Sequence, residues 1–235
     1  MNLFALKHWS LPKVLTMHPF LGVGLLLGLF LGQPSISVAQ ARQCQELFQT
    51  SVPALIAMNP TYRGEELGLY IDPVTKVPWK VHYFTEAERA PYELFIRNGN
   101  LVHKDGEKAQ SPYDHESMSW ENGLLVIDPD FRIFLLPFEQ RGLYHHSSLT
   151  GGKDILFAGT AAFHNGVIRE LSDRSGHYKP NSEQTRAALR ELASKGVDMR
   201  QIRLTGYFLK ELTNNISLSP REVPQVFPEL FAPSK

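Results

Sequence analysis

Two short segments of this chain carry polar side chains whose types and grouping suit chemistry. The first is Tyr144-His145-His146-Ser147-Ser148, followed by Gly151-Gly152; the second is Ser175-Gly176-His177-Tyr178-Lys179-Pro180. A serine hydroxyl with a neighbouring imidazole is the start of a nucleophile–base pair. Neither serine sits in a G-x-S-x-G turn, however, and no orienting acid stands out. Several imidazoles are also the raw material of a zinc site, with His146, His164 and His177 as candidates. No H-x-H or H-E-x-x-H spacing accompanies them, so no metal is assigned. Third, the imidazoles, the hydroxyls and Tyr178 can hold a polar ligand without reacting with it.

A purely structural role competes with all three. Ser175-Gly176 suits a turn, and Lys179 before Pro180 is biased to extended backbone. His177 and Tyr178 can then bond backbone groups where the chain enters a helix, as Ser147 and Ser148 can in their own loop. A supporting cluster consists of Glu88, Arg89 and Glu93, beside Tyr92. Arg89 and Glu93 stand four apart, the spacing of an ion pair on a helical turn.

The elements that must position these residues are legible from punctuation. Residues 42–58 read as a short amphipathic helix broken at Pro53, and 59–81 are rich in turn formers. Thr85-Glu86-Ala87-Glu88 is a capping box that Pro91 cuts to one turn. Strands are expected at 92–96 and 101–103 about Asn98-Gly99, and at 124–127 and 133–136 about Asp128-Pro129-Asp130. A second hairpin joins 155–164 to 167–171 through Asn165-Gly166. That hairpin would bring the two polar segments to one sheet edge. A helix capped at Asn181 or Ser182 runs to Gly196, and 201–208 read as a last strand. The tail, spaced by Pro220, Pro224, Pro228 and Pro233, is expected to be loosely packed. The fold class is α+β: an antiparallel, hairpin-rich sheet with one main C-terminal helix and a short N-terminal one.

The chain's start has the layout of a secretory signal. Lys7 and Lys13 precede an uncharged apolar run at 20–31 (FLGVGLLLGLFL), then Gln33, Pro34 and small residues. Cleavage after Ala39 or Ala41 fits the small-x-small rule. The run is shorter than the ~20 apolar residues of a membrane span. The organisation is therefore read as a signal peptide at 1–39, a helical and turn-rich lead-in at 40–82, a strand-rich core at 83–210 and a tail at 211–235. The layout implies a bacterial, secreted or periplasmic protein with no stable membrane span after cleavage. Cys44 is the only cysteine, which excludes an intramolecular disulfide. Acidic and basic residues balance at 24 each, so nothing in the overall charge points to nucleic acid.

Residues 83–198 carry a set of motifs in order: Tyr83-Phe84-Thr85-Glu86-Ala87-Glu88-Arg89-Ala90-Pro91-Tyr92-Glu93, His146-Ser147-Ser148 within 142–152, Ala158-Gly159, Asn165-Gly166, Ser175-Gly176-His177-Tyr178-Lys179-Pro180 and Gly196-Val197-Asp198. This stretch, about half of the chain, resembles the C-terminal domain of plant IQ-motif calmodulin-binding proteins and a similar module in bacterial exported proteins and toxins. The resemblance implies no catalytic mechanism. It does not imply calmodulin binding either, because the IQ segment lies outside the shared module and no I-Q-x-x-x-R-G pattern occurs here.

Together these observations describe an exported binding or interaction module. Its partner is a small molecule or a protein, met at an edge made of His146, Ser147, Ser148, His177 and Tyr178, with no cofactor implied. The alternative is an enzyme, a transferase or hydrolase at the same edge. An ADP-ribosyltransferase-like variant rests on Tyr62-Arg63-Gly64 and Ser147-Ser148, without the Glu-x-Glu such enzymes carry.

Overall fold

The computed structural model describes residues 54–115 and 119–231, all within one compact unit. The expected signal peptide, most of the expected N-terminal helix and Cys44 lie outside the described residues. The part of that helix that is described, 54–58, is extended: Ile56 bridges Ile155 in antiparallel fashion.

A short capped turn, α1 (Glu86–Arg89), opens the strand-rich region, with both bonds of the expected capping box made between Thr85 and Glu88. Strands β1 (Glu93–Arg97) and β2 (Asn100–Val102) form a hairpin whose turn residues, Asn98 and Gly99, hold φ of 51° and 78°. Positive φ at both positions is what a two-residue hairpin requires. A small ribbon pairs β3 (Tyr113–Asp114) with β4 (Ser119–Trp120). Strands β5 (Gly123–Ile127), β6 (Ile133–Leu136), β7 (Phe157–His164), β8 (Val167–Ser172), β9 (Arg203–Thr205) and β10 (Ser217–Leu218) complete one eight-stranded sheet. Its order is β10-β9-β8-β7-β5-β6-β1-β2, antiparallel except between β8 and β9. The architecture is α+β.

β5 and β6 are buried at every position. Their unbroken apolar runs follow from that, because both faces of the sheet are covered and successive side chains point to opposite faces. Leu125, Ile127, Ile133 and Leu135 join the core under α3 (Ser182–Ser194), α4 (Tyr207–Thr213) and α5 (Val223–Val226). Leu124, Val126, Phe134 and Leu136 join a second cluster with Ile56, Met58, Leu149 and Ile155, beneath the lead-in and α2 (His146–Thr150). α3 begins where expected, with Asn181 and Gln184 exchanging bonds across its first turn. Among the described residues no helix is long and apolar enough to cross a membrane.

Two expectations change. The last strand is only three residues long, because Gly206, at φ 127°, turns the chain into α4. That helix takes its cap from Asp173, whose carboxylate accepts the amides of Tyr207 and Phe208 at 2.9 and 2.8 Å. The partner lies 34 residues upstream, so no local signal announces the helix. The tail is also packed rather than loose: Val223, Phe227 and Leu230 are buried in the core under α3. Pro224 and Pro228 stand at the start of short helical turns, at which a missing amide costs nothing. Replacing Phe227 by alanine should therefore cost about 3–5 kcal/mol in urea unfolding, where a loose tail would lose almost none.

Candidate functional site

The lead-in lies across both polar segments. The amides of Lys80, His82 and Phe84 bond the carbonyls of Gly142, Leu143 and Ser148, and the amide of Asn59 bonds the carbonyl of His177. Between these anchors, a 3-10 turn, Glu65–Leu67, held between Gly64 and Gly68, carries Glu65 into the interior, where it is fully buried.

Glu65 joins the two segments chemically. Its Oε1 accepts the hydroxyls of Ser147 at 2.5 Å and Tyr83 at 3.3 Å, and its Oε2 lies 2.7 Å from Nε2 of His177. A carboxylate accepts, so Nε2 of His177 donates. The remaining ring nitrogen of His177, Nδ1, makes no hydrogen bond among the described residues, and His177 borders an open cleft. Burial and the charge of Glu65 hold the Tyr83 hydroxyl far above its usual range, so it remains a donor.

The other two histidines are fully assigned by their partners. Nε2 of His146 lies 2.7 Å from the carbonyl of Gly159, and therefore donates to it. Nδ1 of His146 then accepts from Ser175, 3.3 Å away, whose hydroxyl in turn accepts the amide of Tyr178. Burial pushes the His146 imidazole down to about 4, outweighing the carbonyl that favours its charged form. In His145, Nε2 accepts the Gly142 amide at 2.8 Å, so Nδ1 carries the proton and faces Glu139 at 3.2 Å. That hydrogen bond holds the Glu139 carboxyl below its usual range. Gly159 has to be glycine: a Cβ there would stand 2.0 Å from the carbonyl oxygen of Ser172.

The rings of His177 and His145 stack at 4.6 Å, with Tyr62 on His177 at 4.1 Å and Trp79 on His145 at 4.6 Å. Asp72 secures this wall from behind, accepting from Trp79 Nε1 at 3.0 Å and pairing with Arg141 at 2.8 Å. In front lies a cleft of about 850 Å³. Besides the three histidines its border includes Tyr62, Trp79, Asp173, Arg174 and Lys179.

His146, Ser147, Ser148, His177 and Tyr178 thus form one neighbourhood, in distinct positions. His177 and His146 border the cleft; Ser147, Ser148 and Tyr178 lie beneath it, buried. The Ser147 hydroxyl donates to a carboxylate rather than to an imidazole, so His177 is not placed as its base. The Ser148 hydroxyl accepts the His145 amide at 3.1 Å, and the Tyr178 hydroxyl donates to the Lys153 carbonyl at 3.0 Å. Among the described residues, no three His, Cys, Asp or Glu side chains are grouped to hold a metal ion.

Glu88, Arg89 and Glu93 are outside the cleft. The expected Arg89–Glu93 pair does not form: Pro91 ends the helical turn, Glu93 opens β1, and Arg89 bonds Glu86 at 2.5 Å. Arg89 also reaches the carbonyl of Leu149 at the back of α2, and Glu88 bonds His82 at 3.0 Å. Lys179 departs from extended backbone, with φ of +45°. The residues that sequence reasoning missed are Glu65, Asp72, Trp79 and Glu139, while His145 and Tyr62 figure in it only within longer motifs. Most lie in the turn-rich lead-in, where the one available signal was a glutamate set between two glycines.

Residues 88–185 match the model of the IQ motif-containing protein middle domain. The match bears out the resemblance to plant IQ-motif proteins. IQ domain-containing protein IQM3 of Arabidopsis thaliana is 28% identical over 141 residues, 59% of this chain and 30% of that protein. IQ domain-containing protein IQM2 of the same plant is 24% identical over 125 residues, 53% of this chain and 20% of that protein. The chain thus spans less than a third of the length of these relatives. No solved structure matches.

Two tests address the network. Glu65→Leu leaves two hydroxyls and an imidazole without their acceptor and should cost about 2–4 kcal/mol in denaturant unfolding; an unchanged midpoint would remove Glu65 from its central place. The folded-state pKa of His146 lies below its ordinary 6.5. Between pH 6.5 and 4 the unfolded chain therefore binds the extra proton, and stability falls as pH falls, by about 3 kcal/mol across the window, levelling below it. Urea titrations at stepped pH should show this slope, and His146→Asn should flatten it.

Proposed function

We propose that the chain is an exported binding module whose cleft, bordered by His145, His146 and His177, takes a small polar ligand. The observation that supports this is the state of His177. One ring nitrogen is held by a buried carboxylate, the ring is stacked between Tyr62 and His145, and the second nitrogen is left for a ligand in the cleft. An oriented imidazole of this kind is a recognition group prepared before the ligand arrives. Ser147, Ser148 and Tyr178 act from below, by fixing α2 and the 175–179 loop. Export rests on the apolar run at 20–31 and the small residues before Gln40 and Arg42. Nucleic acid is disfavoured as a partner by the balanced charge. Calmodulin is not carried over from relatives whose names include the IQ domain.

A second reading shares the site. Glu65 fixes the His177 tautomer with its proton on Nε2, so Nδ1 is an acceptor that can take a proton from a hydroxyl bound in the cleft. This is the enzyme alternative, with His177 rather than a serine at its centre.

Thermal-shift screening of the purified protein against a metabolite panel should find a ligand that raises the melting temperature. His177→Gln should abolish the shift while the variant still melts cooperatively. An identical ligand response in that variant would exclude His177 as a contact. Export predicts a mature N-terminus at Gln40 or Arg42, and an intact Met1 on membrane-bound protein would refute it.

A further inference from the structure

The charges around the cleft indicate which polar ligand it takes, an inference that rests on the ligand-site reading above. Arg174 and Lys179 border the cleft, both are exposed, and neither side chain has a hydrogen-bond or ion-pair partner among the described residues. The acids on the same border are already engaged. Asp173 receives two amides of α4, and Glu139 faces the proton on His145. Glu65, buried below, is occupied by three donors. The groups left open to a ligand include two cations, one imidazole nitrogen and the half-buried rings of Tyr62 and Trp79, 5.9 Å apart and within 19° of parallel.

The backbone adds an independent observation. Lys179 sits in the left-handed region, which a side chain with a Cβ rarely adopts, and it does so directly before Pro180, where steric conflict already narrows the choice. Its neighbours impose this shape. Tyr178 is anchored through its hydroxyl to Thr150 and Lys153, the Lys179 amide bonds the carbonyl of Ser175 at 3.0 Å, and Asn181 caps α3 two residues on. Tyr178 and Pro180 on either side are buried while the lysine is exposed at the cleft. Strain kept at a cleft residue points from geometry to function.

We propose that the cleft binds an oxyanion, phosphate or carboxylate, carried on a planar ring, with Arg174 and Lys179 holding the anion, His177 bonding a polar atom beside it and the ring lying against Tyr62 and Trp79. Charge-assisted hydrogen bonds from a guanidinium and an ammonium suit such a group.

The test is an NMR titration of the purified protein with AMP, benzoate and adenosine. AMP, benzoate or both should shift the amides of residues 175–179, and which one does so separates phosphate from carboxylate. Arg174→Ala should weaken that binding about tenfold, the loss of one charge-assisted bond. Lys179→Gly should weaken it similarly while raising the melting temperature, since glycine adopts this φ without steric conflict. A structural lysine would give no loss of binding. Adenosine binding as tightly as AMP, or anion binding untouched by both substitutions, overturns the oxyanion assignment and leaves the cleft reading standing. No shift with any of the three at millimolar concentration overturns both.

Discussion

One buried carboxylate organises this half of the molecule. Glu65 lies at the meeting point of three chain segments, and each sends it a donor: Tyr83 from the stretch before α1, Ser147 from α2, His177 from the loop before α3. Burying an acid in a protein interior is costly unless every lone pair is used. The requirement works in both directions. The donors keep the carboxylate buried, and the carboxylate holds the donors in fixed rotamers, so the stack of rings above it inherits its position from below.

That arrangement separates support from presentation. Tyr178, Ser148 and Ser175 spend their hydrogen bonds on backbone groups and on the side chains of Thr150 and His146. His146, with one nitrogen on the Gly159 carbonyl and the other on Ser175, ties the central strand β7 to the loop. Of the three histidines at the cleft, His177 is the one that keeps a ring nitrogen unused. The three histidines therefore differ by partner, not by residue type: one is a tie, one is a proton-bearing partner for Glu139, and one faces the cleft with its tautomer set by Glu65. Precise placement of a recognition group needs this kind of supporting layer, because a side chain held only by its own rotamer preference wanders.

The match to the IQ motif-containing protein middle domain begins at residue 88, downstream of Glu65, Tyr62 and Trp79. In this chain the lead-in supplies the carboxylate and two of the four stacked rings, while the matched stretch supplies His145, His146, Ser147 and His177. The site is thus assembled from inside and outside the matched stretch. Its cleft-facing cations, Arg174 and Lys179, lie within it.

Local chemistry determined much of this protein from sequence alone. The Asn98-Gly99 and Asn165-Gly166 turns, the two capping boxes, the α3 boundaries and the α+β class all follow from interactions between residues a few positions apart. So does the grouping of the His-Ser-Ser and Ser-Gly-His-Tyr segments at one edge, since the β7–β8 hairpin brings them together. What only the tertiary structure decided involves partners far apart in the chain: Asp173 capping α4, the tail packing under α3, Lys179 forced out of extended backbone, and Glu65 reaching His177 across 112 positions. A buried charge is visible in sequence as a glutamate like any other. Its role depends on which donors surround it after folding, and that proximity is written in no local pattern.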